Sequence, residues 1–214
     1  ARHRHGERST MPVVCYYDTQ ARQRERRAMK LTATYVLIGI NIVIFLLETS
    51  QGGATNRDVA MKFGAQYTPY VRRGQWYRLI TSMFLHFGFI HLLCNMYSLS
   101  NLGPALERFF GIPLFLVLYL ISGLAGNLLS YYKEIKTGQY RLSAGASGAV
   151  FGLLGAYLVF AVLPGYGGVS LYGILRVLAI NAFYAFSNRS INAMAHLGGL
   201  IAGIVVTACL LLVL

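Results

Sequence analysis

Acidic side chains are scarce in this 214-residue chain: seven Asp and Glu stand against 19 Lys and Arg, and charged residues of all kinds make up only 12%. A soluble domain of ordinary composition carries about 25%. With 56% hydrophobic residues and a mean hydropathy of +0.52, the chain is too apolar for a water-soluble fold. No Asp, Glu, Lys or Arg occurs in 31–47, 79–106, 109–132, 142–175 or 190–214, and a helix needs about 20 such residues to cross a hydrocarbon core of about 30 Å. Cysteine is also sparse. Cys15, Cys94 and Cys209 lie far apart, two of them inside apolar stretches, which excludes a disulfide framework. There is no internal repeat and no low-complexity segment.

The charge that is present is unevenly placed. The first 30 residues hold eight of the 19 Lys and Arg against Glu7, Asp18 and Glu25, and an apolar stretch begins at Leu31. The expected domain organisation is therefore a basic cytoplasmic tail over 1–30 and a transmembrane domain over 31–214. The tail's expected partner is anionic membrane lipid, and nucleic acid is not expected. Residues 31–47 read as a retained span, because the apolar stretch is longer than a signal-peptide core and further spans follow.

Breaks at charges and at Gly/Pro clusters predict six helices, over 31–48, 83–102, 113–132, 145–163, 169–187 and 192–213. The fold class is all-α: a six-transmembrane-helix bundle with a long first extracytoplasmic connection over about 49–82. Tight turns are expected at Gly103-Pro104, Gly111-Ile112-Pro113, 164–168 and 188–190. The basic tail places the N-terminus in the cytoplasm and, after six crossings, the C-terminus there too. Arg57, Lys62, Arg72, Arg73, Lys133, Lys136 and Arg141 would then lie outside, against the usual bias.

Ionisable and strongly polar groups inside a span are costly and mark function. Here they include His86, His91 and Asn95 in the second predicted helix, Ser147 at the start of the fourth, and His196 in the sixth. Glu48, Glu107 and Glu134 sit at helix ends. An aspartyl protease needs a membrane-embedded carboxylate pair, and none exists. A His-Glu-x-x-His zinc site is excluded because His86 and His91 are five apart with no acid between them. Cys94, three residues beyond His91, makes half a metal site at most, so no metal and no cofactor is expected. Proton-coupled transport would call for an intramembrane carboxylate or a series of histidines.

Serine and histidine remain. A hydroxyl becomes a useful nucleophile when a neutral imidazole takes its proton, and Ser147 and His196 could supply that pair. Since no carboxylate is available to orient His196, the expectation is a dyad rather than a triad. Ala144, Gly148 and Gly152 recur at intervals of four, as do Ala195, Gly199 and Gly203, and small-residue stripes let helix backbones approach closely. His91 and Asn95 share a helix face at i and i+4 and could present two donors to an oxyanion beside the Ser147 amide, or simply bond between helices.

Ser147 in Gly145-Ala146-Ser147-Gly148, His196 in Ala195-His196-Leu197-Gly198-Gly199, and His91-x-x-x-Asn95 together resemble the rhomboid intramembrane serine proteases. Gly74-Gln75-Trp76-Tyr77-Arg78 and Gly103-Pro104-Ala105-Leu106-Glu107-Arg108 add to the resemblance, which spans about 31–214. Ala149 departs from the Gly-x-Ser-x-Gly elbow of soluble hydrolases. The resemblance implies Ser147 as nucleophile, His196 as general base, and His91, Asn95 and the Ser147 amide as oxyanion hole. It further implies Gly145 and Gly199 as close-packing positions and Phe151 as an aromatic stacked on His196. Trp76 and Arg78 would anchor the first connection at the membrane interface. The implied activity is cleavage of single-span or multi-span membrane-protein substrates in or near their transmembrane helices, in the cell membrane. Two other readings compete: a catalytically silent rhomboid-like protein that binds membrane clients, and a small-solute channel or transporter, which would have no need of this serine, histidine and donor set.

Overall fold

The computed structural model describes residues 32–163, 169–187 and 191–213. The basic tail assigned to 1–30 and the turns expected at 164–168 and 188–190 lie outside the described residues. The elements in order are α1 (Thr32–Ser50), α2 (Arg57–Phe63), α3 (Thr68–Arg72), α4 (Arg78–Thr81), a 3₁₀ turn (Ser82–Phe84), α5 (Phe89–Thr137), α6 (Ser147–Val162), α7 (Leu171–Ser187) and α8 (Ala193–Val213). Among the described residues the one extended pairing is an antiparallel bridge between Gln66 and Ser143. α1, α5 and α8 are each long and apolar enough to cross a bilayer; α6 and the Leu171–Asn181 part of α7 are shorter apolar helices.

The second predicted helix is displaced at both ends. Residues 82–88 form the 3₁₀ turn and an irregular connection, and α5 starts only after Gly88, whose φ of 99° favours glycine. His86 therefore precedes the helix rather than lying on it. At the other end the helix does not stop at Gly103-Pro104. Pro104 removes one backbone donor, a loss that membrane helices tolerate, so the helix runs on to Gly111. There φ 75° and ψ 164° leave helical geometry altogether, and α5 breaks into halves over 89–110 and 112–137. Gly103 serves packing instead, since a Cβ there would meet the Thr34 side chain at 2.7 Å and its absence lets α1 approach.

The second half of α5 returns alongside the first connection, α4 and the 3₁₀ turn. Asn127 Nδ2 donates to Leu79 O at 2.7 Å and to Ser82 Oγ at 3.1 Å, and Gln66 Nε2 donates to Asn127 O at 3.0 Å. α6 is the enclosed helix, with every residue from Gly148 to Ala156 buried. Leu153, Ala149, Phe115, Leu118 and Leu99 are among the side chains of the core built around it. α1, by contrast, leaves Val36, Ile40, Val43, Leu46 and Leu47 exposed, an apolar outer face suited to lipid rather than water.

Two buried charges organise this bundle. Glu107 is only 3% exposed and caps α1 from across the fold: it accepts from Ala33 N at 3.0 Å, Thr34 N at 2.8 Å and Thr34 Oγ1 at 2.6 Å. A carboxylate there satisfies orphan amides and complements the positive end of the helix dipole. Glu107→Ala is expected to destabilise the protein by about 3 kcal/mol, since buried donors lose a charged acceptor. An unchanged unfolding midpoint in detergent would show the cap to be silent. Arg78, expected as an interfacial anchor, is instead 5% exposed. Its guanidinium donates to Gln75 Oε1 at 2.7 Å, Met61 O at 3.0 Å and Ala65 O at 2.9 Å, and lies over the Tyr70 and Tyr77 rings. A fork of fixed donors can gather several carbonyls at once, so Arg78 folds the first connection from within. Trp76 stays 54% exposed, edge-on to Tyr131, as an interfacial aromatic would be.

Candidate active site

Ser147 is the first residue of α6. Gly145, at φ 135°, turns the chain into the helix, and its N–H donates to Ser82 O at 2.9 Å. The first carbonyl to receive an N–H across this helix start is that of Ala146, from Val150 at 3.0 Å. The amides of Ser147, Gly148 and Ala149 thus have no intrahelical acceptor, as at every helix N-terminus, and carry its partial positive charge.

α6 and α8 cross backbone against backbone. A Cβ on Gly199 would overlap the Gly148 carbonyl, and one on Gly203 would overlap that of Gly152. Ala144, the first member of the expected stripe, precedes α6, so the helical contact begins at Gly148. The crossing brings Ser147 Oγ to 2.9 Å from His196 Nε2, a hydrogen-bond distance. The Phe151 ring, one turn along α6 from Ser147, stacks on the His196 imidazole with centroids 4.2 Å apart and planes 12° from parallel. No carboxylate contacts His196 among the described residues. Glu107 and Glu134, two of the four acids there, are bound elsewhere, Glu107 as above and Glu134 by Thr68 Oγ1 at 2.6 Å. The ring is therefore oriented by aromatic packing and by the hydroxyl.

His91 comes to the same place from α5. A Cβ on Gly145 would meet His91 Cε1 and Nε2 at 2.8 Å and Ser147 Oγ at 3.6 Å, so the bare glycine backbone is what the imidazole and the hydroxyl flank together. Asn95 is buried at 5% exposure, and its Nδ2 donates to His91 O at 2.9 Å. One N–H of that amide is thus spent within the helix and the other is left for a further acceptor. His86 meets the His91 ring edge-on at 5.1 Å between centroids and is fully buried. Among the described residues no three His, Cys, Asp or Glu gather in a way that could hold a metal, and Cys94 is exposed.

Sequence reasoning missed Asn192. It stands just before α8, where its Oδ1 accepts from Ala195 N at 3.1 Å, a standard N-cap contact. The asparagine ahead of an apolar helix was a readable signal for that cap. Its second set of contacts, to serines 49 and 62 residues away in the chain, was not.

Residues 73–213 match the Rhomboid domain family. The chain is 37% identical over 183 residues to Rhomboid protease GluP of Bacillus subtilis, a stretch covering 85% of this chain and 35% of that protein. It is 42% identical over 139 residues to YdcA of the same organism, covering 64% of this chain and 68% of YdcA. To RHOMBOID-like protein 5 of Arabidopsis thaliana it is 39% identical over 155 residues, 71% of this chain and 49% of that one. It spans about a third of the length of GluP and about half of the Arabidopsis protein. The long apolar helices and a match running from the first connection through α8 lead to one assignment: the chain is a multi-pass membrane protein that belongs to the rhomboid family.

Proposed function

We propose that this rhomboid family member is an intramembrane serine endopeptidase working through a Ser147–His196 dyad. The observation that carries the reading is the 2.9 Å approach of Ser147 Oγ to His196 Nε2 at the mouth of a helix with open amides. In this mechanism Ser147 Oγ attacks the scissile carbonyl carbon while His196 Nε2 takes the hydroxyl proton. The tetrahedral oxyanion is held by the Ser147 amide, the His91 ring N–H and the second N–H of Asn95. His196 then returns its proton to the leaving amine, and the C–N bond breaks to give an acyl-enzyme. Water, deprotonated by the same imidazole, hydrolyses the ester and restores Ser147. The chemistry uses no metal and no cofactor. That the name of GluP calls it a protease supports this reading over a silent client-binding protein, which would not need the hydroxyl and imidazole in contact.

In the proposed topology the six apolar segments, counting the halves of α5 separately, each cross the membrane, with 1–30 as a cytoplasmic lipid-binding tail and 31–214 as the protease domain. Ser147, His91 and His196 all lie near helix N-termini at one end of the bundle, which this topology places toward the extracytoplasmic side. The substrates are membrane proteins, single-span or multi-span. A helical backbone hides its carbonyls in its own hydrogen bonds, so segments with glycine or other helix-weakening residues at the cut are favoured.

The test is reconstitution of the chain in liposomes with a panel of labelled transmembrane substrates, in parallel with Ser147→Ala. Cleavage by the wild type that disappears in the variant is expected. A wild type that cuts nothing across the panel would sink the enzyme reading.

A further inference from the structure

Asn192 bonds through its backbone carbonyl and through both ends of its side-chain amide. The carbonyl O accepts from His196 N at 3.2 Å and Oδ1 from Ala195 N at 3.1 Å, which pins the first turn of α8. Nδ2 donates to Ser130 Oγ on α5 at 2.6 Å and to Ser143 Oγ at 2.8 Å. The amide can point only one way, because a flipped side chain would set its NH₂ against the Ala195 N–H. The two serines it grips are themselves anchored. Ser130 is 2% exposed, and Ser143 is paired with Gln66 through both N–H···O bonds of the bridge, each 2.9 Å.

The register of this clamp is what gives it meaning. Asn192 lies four residues before His196, and Ser143 lies four residues before Ser147. On the far side of the dyad, Gly199 rests on Gly148. The hydroxyl and the imidazole therefore sit between two fixed crossings, a polar one at 143/192 and a close-packed one at 148/199. Removing the polar crossing leaves the start of α8 held by apolar contacts alone, at Ala195 against Gly126 of α5 and at Gly199 against Gly148, with no polar tie to the approach to α6 where the reacting groups meet.

Resting on the protease reading above, we infer that Asn192 is a positioning residue, which sets the Ser147–His196 separation by tying the approach to α6 and the start of α8 to the same point on α5. Its role as a helix cap is separable from this. A serine at 192 caps a helix as well as asparagine does but is too short to span to both partners.

The experiment compares Asn192→Ser and the double variant Ser130→Ala/Ser143→Ala with the wild type and Ser147→Ala, all as the full chain in liposomes. Cleavage kinetics and unfolding midpoints are both recorded. Each positioning variant is expected to lose about ten- to a hundredfold in kcat with KM within about twofold, since a misplacement near 1 Å costs on that order. The midpoint of Asn192→Ser should stay close to that of the wild type. Wild-type kcat in either variant overturns the inference, as does a loss that merely follows the fraction of protein still folded. If the wild type shows no Ser147-dependent cleavage, the protease reading falls and this inference falls with it. If that cleavage is present and the variants match it, only this inference falls.

Discussion

His196→Ala is expected to lower kcat by about 10⁴-fold or more while the bundle stays folded, because the members of a nucleophile–base pair act as a unit. In the proposed mechanism, Ser147 without the imidazole must surrender its proton to water, and a hydroxyl is a weak nucleophile at its ordinary pKa. What would survive is the part of catalysis that needs no base: substrate binding and the donors facing the oxyanion, which in comparable enzymes leave a residual acceleration of about 10³–10⁴ over water. Fold retention is expected because the ring of His196 is held by one stacked contact and one hydrogen bond, whereas the helix it belongs to is held by its glycine crossing and the Asn192 cap. Two measurements check this together, substrate turnover and labelling of Ser147 by a fluorophosphonate. Turnover within about tenfold of wild type would remove His196 from the mechanism.

The second large effect concerns stability. Gly199→Ala is expected to cost about 3 kcal/mol, because the new methyl would overlap the Gly148 carbonyl. A backbone oxygen cannot change rotamer to make room, so α6 and α8 must move apart along the stretch that carries Ser147 and His196. Activity should fall with stability. Gly39→Ala is the control: a Cβ there meets nothing within 4 Å, and alanine is the better helix former by about 1 kcal/mol, so this variant should unfold at or above the wild-type midpoint. If both substitutions shift the midpoint equally, the close crossing is not what limits stability.

Much of the candidate site was legible because membranes make polar residues conspicuous. Ser147, His196, His91 and Asn95 stand out as polar side chains in apolar stretches, and the recurrence of glycine every four residues shows which helix faces can approach. Arg78 and Glu107 are different. Position beside an apolar stretch assigns each to an interface or a helix end, yet each is buried and gathers backbone groups from elements 13 to 74 residues away. Nothing local distinguishes an arginine that faces lipid headgroups from one whose donors are taken up by carbonyls of the fold.

The amino-acid order alone determined that this chain enters a bilayer, since stretches of 17 residues and more without a charge have no stable place in water, and it determined which side chains were available for chemistry there. It did not determine where α5 breaks. Pro104 and Gly111 both read as breakers, yet the helix persists through the first, where Gly103 packs against Thr34 and Glu107 caps the start of α1, and reverses at the second. Nor could it place a hydroxyl 2.9 Å from an imidazole 49 residues away. That distance follows from the crossings at Asn192 and Gly199, and contacts between remote segments have no signature in a linear chain.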